Sequence, residues 1–373
     1  MQVTLMTIVW FIIIFGIVVL SHEFGHFIIA KANGIRVVEF SVGMGPKIFS
    51  VKRKDTVYAL RLLPIGGACM FEGEDGRESE AEGKSEAESD AGSFNKAGVW
   101  SRIATVVAGP VFNFILAFVV AVILVSMASP APSTISGVVE NSPAAQAGLA
   151  EGDRIVSING EKTYLFKDIS LIAYLNGGPG IFEYGKPYLN GGNPMEIVYV
   201  RNGEKTTTTL TPAYNEEYGT YMLGITGTYG HAKGLSVFKY AWYEMRYCVV
   251  NTYKSLGMML TGKFSRQDVA GPVGIAVNVV GKTYENTRSY GLKTVFYNMF
   301  NIVLLLSVNL GILNLLPIPA LDGGRLVFLI VEVFRKKPVP PEKEGIVHFA
   351  GLVFFMVLMV IVFFNDLVNI FAH

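Results

Sequence analysis

Four long apolar runs frame this chain, at roughly Val3–Ala30, Ile103–Ala128, Thr294–Leu316 and Ile346–Phe371. Each can cross a bilayer, because about 20 residues at a helical rise of 1.5 Å span the roughly 30 Å hydrocarbon core. The first is too long for a signal-peptide core and has no Lys or Arg before it, so it reads as a retained span. The second contains "AGPVFNF" and the third runs into "NLLPIPALDGG". Such interruptions persist at membrane depth only where protein or a water-filled cavity satisfies the freed backbone. The fourth, "FAGLVFFMVLMVIVFF", reads as a featureless packing or anchoring helix.

Between the runs the period changes. Ile35 to Gly73 alternates in short stretches punctuated by Gly and Pro, which predicts two or three hairpin-linked strands at the membrane face. "EDGRESEAEGKSEAESDAGS" follows, acidic and without apolar periodicity, and reads as a solvated linker. Ser133 to Gly230 predicts one β-rich module. "ISGVVENSPAAQAGLAEGDRIVSINGEK" gives a strand, a short helix, a turn and a second strand closed by Asn-Gly. "GGPGIFEYGKPYLNGGNP" reads as a surface loop, "MEIVYVRNGEKTTTTL" as a strand pair, and "YMLGI" as a last strand. From Leu235 to Leu260, Phe238, Trp242, Met245, Val249, Leu256 and Leu260 recur at helical spacing. Two readings stand for that helix, lying in the membrane interface or packing on the module.

The resulting organisation is a polytopic α-helical membrane protein with four transmembrane helices, a membrane-associated β-hairpin region and one extracytoplasmic β-rich domain of α+β type. Its divisions are 1–34 (first span), 35–73 (strands), 74–98 (cytosolic linker), 99–129 (second span), 133–230 (β-rich domain) and 235–292 (interfacial helical region). The chain ends with 293–325 (third span), 326–345 (cytosolic segment) and 346–373 (fourth span).

Composition agrees with a membrane protein that also has a soluble part, at 51% hydrophobic and 16% charged residues. A net charge of +1 argues against a nucleic-acid partner, which needs a basic field. Cys69 and Cys248 are far apart and outside any CxxC, so no disulfide framework or cysteine zinc site follows. Lys31, Arg36, Lys47, Lys52, Arg53, Lys54 and Arg61 follow the first span, and Arg325, Arg335, Lys336, Lys337 and Lys343 follow the third. Basic residues favour the cytosol. Both termini and the β-rich domain are therefore expected outside, and the ends of the first and third spans inside.

Within the first run sits "SHEFGH". Ionisable groups at membrane depth are costly and mark function by default. His22 and His26, four apart, project from one helix face and can share one zinc, with Glu23 beside the metal as a general base. An open catalytic zinc site takes a third protein ligand. His231, His348 and His373 are placed less well for this than Asp322, just past the third run in "PALDGG". Asp322 as a helix N-cap is an equal reading at this point. Asn113 admits two roles, letting water in or bonding between helices. Gly109 and Pro110 suggest close packing near the metal.

"HEFGH", "AGPVFNF", "GPVGIA" and "NLLPIPALDGG" together resemble the site-2 protease family of intramembrane zinc metalloproteases, in its bacterial RseP/RasP-like branch with a single PDZ domain. The resemblance implies Zn2+ held by His22, His26 and Asp322, with Glu23 catalytic. It also implies substrate contacts from Asn314 and from Gly43 and Gly45 of a membrane-associated β-loop. "SPAAQAGLAEGDRIVSINGEK" resembles a PDZ domain, and Leu223, Gly224 and Ile225 its carboxylate-binding strand, which would take peptide C-termini. The family implies cleavage of single-span membrane proteins near their cytosolic ends in a bacterial cytoplasmic membrane. Substrates would be anti-sigma factors trimmed outside, and signal-peptide remnants. The competing classes are a zinc transporter, which needs further aligned ligands in other spans, and a PDZ scaffold with a closed structural zinc.

Overall fold

The computed structural model describes residues 4–74, 92–175, 193–215, 220–262 and 270–371. The acidic linker (most of it, 75–91) and most of the turn-rich loop (176–192) lie outside these residues. The chain divides into two compact units, Met1–Val120 with Val269–His373, and Ala121–Asp268.

Helix α1, Leu5–Ala32, starts at Thr4, whose hydroxyl accepts the Thr7 amide at 3.2 Å and so satisfies one of the free donors of the first turn. Strands β1 (Val37–Arg53) and β2 (Thr56–Phe71) follow as two long, bent strands. β2 flanks the first part of β1 on both sides, since Phe40 pairs with both Cys69 and Tyr58, and Ser41 with both Ala68 and Ala59. The bend is possible because Gly43 and Gly45 take φ of +89° and +86°, a region that penalises a Cβ. Helix α2, Val99–Met127, contains Pro110. Lipid supplies no hydrophobic drive between helices, so close contact of small residues must hold them together. Gly25 of α1 provides one such contact, because a Cβ there would overlap the Ala108 carbonyl of α2. Ser21 Oγ also donates to the Phe112 carbonyl at 3.1 Å.

The second unit is built on the antiparallel sheet β5 (Glu161–Lys162), β4 (Arg154–Ile158), β6 (Met195–Arg201) and β7 (Glu204–Leu210), in that order. Met195, Ile197 and Tyr199 are buried on alternate positions of β6, the pattern of a half-buried strand. They join Ile135, Leu149, Ile155, Ile158 and Ile169 in one core. Strand β3 (Gly137–Val138) pairs with β10 (Ile225–Thr226), and β8 (Ala213–Asn215) pairs with β9 (Thr220–Met222). Short helix α3, Pro143–Gln146, is capped by Ser142, which accepts the Ala145 amide. Helix α4, Phe166–Leu175, is anchored by Asp168, which accepts the Tyr164 and Leu165 amides at 2.9 Å.

Helix α5, Ser236–Leu260, docks on this module through Lys167–Glu244, Arg246–Asp168 and stacking of Tyr243 on Tyr164. Leu235, Phe238, Trp242, Tyr253 and Leu260 stay exposed along it. Within the unit, one face of this helix is packed on the module and one apolar stripe is uncovered.

Back in the first unit, a helical turn Pro272–Gly274 continues as a π-helix, Ile275–Gly281, and then α6, Lys282–Thr287. Helix α7 spans Leu292–Leu315, α8 Asp322–Arg335 and α9 Pro341–Phe371. Helices α1, α2, α7 and α9 are long and apolar enough to cross a membrane. The fourth has more chemistry than its sequence suggests. Asp366, only 2% exposed, accepts the Gly271 and Gly274 amides at 3.0 and 2.7 Å, fastening α9 to the Gly-Pro-Val-Gly turn.

Asp153 in the second unit supplies a pH-dependent tie. Burial opposes its charge, but Arg201 donates to both its oxygens at 2.8 and 2.7 Å and the Ala150 amide adds a third bond, so its pKa lies below the ordinary value. A depressed carboxyl pKa stabilises the fold fully above the unfolded value of about 3.9 and progressively less as pH falls through the folded value. Amide exchange in the full chain should show Asp153→Asn weakening protection of β4 and β6 at pH 7, with the difference from the parent shrinking below pH 4.

Candidate metal centre

Helix α1 sets His22 and His26 one turn apart, each 7% exposed. The face of α2 opposite them carries Thr105, Gly109 and Asn113, spaced i, i+4, i+8 and hence aligned along one side. The Thr105 carbonyl accepts from His26 Nδ1 at 2.8 Å, and the Asn113 side chain lies 3.2 Å from His22 Nδ1. Between them Gly109 leaves the space the rings occupy, because a Cβ would overlap His26 Nε2 and come within 2.8 Å of His22 Cε1.

Asp322 reaches the same place from far along the chain. Past α7 the backbone doubles back, and Gly323 and Gly324 lie against the Leu315–Leu316 and Ile318 carbonyls where no Cβ fits. Ala320 is held at φ +71°, a left-handed conformation costing a non-glycine residue about 1–3 kcal/mol. Two contacts from α9 hold it there. His348 Nδ1 accepts the Ala320 amide at 3.0 Å, and Gly351 packs against Pro319 with no room for a Cβ. Helix α8 is anchored by Arg102 of α2, which donates to Glu332 at 2.5 and 3.1 Å. Asp322 is not the cap of α8. Leu321 holds the cap position, and Asp322 is the first helical residue.

The result is three donor atoms within 4.8 Å of one another. Asp322 Oδ2 is 3.1 Å from His22 Nε2 and 3.3 Å from His26 Nε2, and the two Nε2 atoms are 3.2 Å apart. Yet Asp322 Oδ2 is buried and makes a hydrogen bond with neither ring. Because a carbonyl only accepts, the Thr105 contact puts a proton on His26 Nδ1, so a neutral His26 turns its Nε2 lone pair toward the carboxylate. Lone pairs converging on an unsatisfied buried oxygen need a cation between them. Two imidazoles and one carboxylate suit zinc.

Glu23 lies where α1 meets the curled strands. The Cys69 backbone amide bonds to its carboxylate. At Gly67 an added Cβ would come within 2.8 Å of Glu23 Cγ and 3.0 Å of the Ser41 carbonyl. Gly43 and Gly45 begin two residues past Ser41, in the bend of β1. Asn314 is buried in the last turn of α7, just before the doubled-back segment. Leu223, Gly224 and Ile225 belong to the second unit. Leu223 is in its core and its carbonyl accepts the Ala144 amide, while Ile225 pairs with Val138. Thr105, Gly67 and His348 escape a reading by motif. The Gly66–Gly67 doublet in "IGGACM" is the one local signal among them.

A buried cluster of two imidazoles and a carboxylate that could hold a metal ion, with a further carboxylate beside it and four helices long and apolar enough to cross a membrane, fits a membrane-embedded metallopeptidase, and comparison with known proteins agrees. Residues 10–358 match Peptidase family M50. The zinc metalloprotease RasP of Bacillus licheniformis is 34% identical, covering 98% of this chain and 99% of its own. The regulator of sigma-W protease RasP of Bacillus subtilis is 33% identical over 98% and 99%, and RasP of Geobacillus kaustophilus 32% over 99% of each. A PDZ domain of an SdrC-like protein from Listeria monocytogenes aligns with 26% of this chain and 85% of its own, at 19% identity and a TM-score of 0.20, too low to bear on the fold. The chain belongs to Peptidase family M50 and is an intramembrane zinc endopeptidase of the site-2 protease type.

Gly109→Ala tests the fit of α2 around the rings. The added methyl group should displace both imidazoles at a cost of about 1–3 kcal/mol. Chelator competition should then show roughly tenfold or greater weakening of zinc retention, whereas Gly16→Ala, where a Cβ meets nothing within 4 Å, should retain it.

Proposed function

We propose that His22, His26 and Asp322 hold the zinc, that Glu23 carries protons, and that the enzyme cuts single-span membrane proteins near their cytosolic ends. The observation that carries this reading is the convergence of three donor atoms within 4.8 Å, two from one helix and one from the first residue of another some 300 residues away. When bound, zinc supplies Lewis acidity that polarises a carbonyl oxygen and acidifies water. Glu23 takes the proton from the attacking water and passes it to the leaving amine nitrogen. Asn314 donates to the substrate backbone.

A transmembrane helix hides its carbonyls in its own hydrogen bonds, so the scissile segment must first become extended. Freed amides and carbonyls in lipid then need partners. β1 and β2 supply them by strand addition around Gly43 and Gly45. The approach of Gly67 to Glu23 supports this reading, because it brings that sheet to the proton carrier.

The second unit is read as a PDZ domain outside the cytoplasmic membrane, with both termini on that side and the metal toward the cytosol. Its segment Leu223–Ile225, which leads from β9 into β10, takes peptide C-termini. The Bacillus subtilis relative carries the name regulator of sigma-W protease. By extension, trimmed anti-sigma factors are substrates here, and signal-peptide remnants form a second group.

Glu23→Gln is the test. Cleavage of a reporter membrane peptide should fall by about 10²–10⁴-fold, the range for losing a general base, with zinc content unchanged. A zinc-loaded variant that still cuts at the parental rate would overturn the assignment.

A further inference from the structure

The two imidazoles face one another and Asp322 through Nε2, so each can donate a lone pair to a metal only if its proton sits on Nδ1. For His26 the Thr105 carbonyl settles this, since it can only accept. For His22 the neighbour is Asn113, which is fully buried. As placed, its amide nitrogen is 3.2 Å from His22 Nδ1, while its amide oxygen is buried without a hydrogen-bond partner.

That arrangement is at odds with the site. An amide NH2 can only donate, so it would require a lone pair on Nδ1 and a proton on Nε2, the atom that faces Asp322 Oδ2 at 3.1 Å. The nitrogen and oxygen ends of an asparagine amide have nearly the same shape, and their assignment follows from the hydrogen-bond network. A half-turn of the amide puts the oxygen on Nδ1–H. One end of the amide lacks a described partner in either orientation, but only the turned one leaves both rings ready for a cation.

The geometry points to Asn113 as a positioning residue that accepts the His22 Nδ1 proton through its amide oxygen and thereby aims the Nε2 lone pair at the metal. Helix α2 then works as a mould. Thr105 accepts from one ring, Gly109 gives both rings room, and Asn113 accepts from the other. Partners of this kind fix the tautomer and orientation of a ligating histidine. The inference rests on the reading that His22, His26 and Asp322 hold the zinc.

Two substitutions in the full-length enzyme separate this from a bond that merely joins helices. Asn113→Leu keeps the branched shape and removes the acceptor. Asn113→Asp keeps an acceptor and removes the donor, and its charge offsets the one that Asp322 leaves on a divalent cation. Zinc retention is read by chelator competition, and ligand geometry by the visible bands of the cobalt(II)-substituted protein. Asn113→Leu should lose zinc about 10–100-fold more readily with shifted cobalt bands, while Asn113→Asp should hold zinc at least as tightly as the parent. A folded Asn113→Leu that binds zinc like the parent would overturn the proposal. If Asn113→Leu does not fold, Asn113→Asp decides alone, and weakened zinc retention there would overturn it. Asp322→Ala is the control for the underlying site. Zinc retention unaltered by that change would remove the site itself and this inference with it, whereas loss there with no change in either Asn113 variant would defeat this inference alone.

Discussion

Everything in the first unit depends on how closely α1 and α2 approach each other. In lipid, apolar side chains gain little by leaving the solvent for one another, so contact of small residues does what burial does in water. Gly25 lets α1 press on the Ala108 carbonyl, and Gly109 lets α2 receive two imidazole rings. The two glycines solve one problem from opposite sides. A Cβ at either position would push apart the helices that orient His22 and His26.

The carboxylate is brought in by different means. Asp322 opens α8 just after a tight turn in which Ala320 takes a left-handed conformation, and the two glycines that follow it press on backbone carbonyls. Such a turn persists only if its surroundings over-determine it. Helix α9 contributes to this through His348 and Gly351, and is itself fastened by Asp366 to the Gly-Pro-Val-Gly turn. The least sequence-distinctive span is thus connected to the turn that leads into the third donor. Polar groups in an apolar helix mark its points of attachment.

Much of this was legible in the chain. The four apolar runs fall close to four helices, and the 22/26 spacing puts both rings on one face whatever else happens. The alternating stretch after α1 does form strands, but as two long strands curled so that one flanks the other on both sides. Short-range alternation cannot reveal such a wrap, because the pairing of Ser41 with both Ala59 and Ala68 is a long-range choice. Asp322 was ambiguous for a similar reason. An aspartate before an apolar helix suits a cap, and only the folding back of residues 315–324 separates a cap from a donor at the histidines. Thr105 was invisible, since it acts through its carbonyl, and Gly67 showed only as half of a glycine doublet, since it acts through having no side chain.

On the proposed reading, one divalent cation joins α1 near the start of the chain to the first residue of α8 near its end. Zinc-edge X-ray absorption of the purified enzyme, compared with Asp322→Ala, measures this most directly. The parent should show two imidazole nitrogens and oxygen ligands, and the variant an altered oxygen shell and weaker zinc retention. An identical spectrum with undiminished zinc in Asp322→Ala would contradict it.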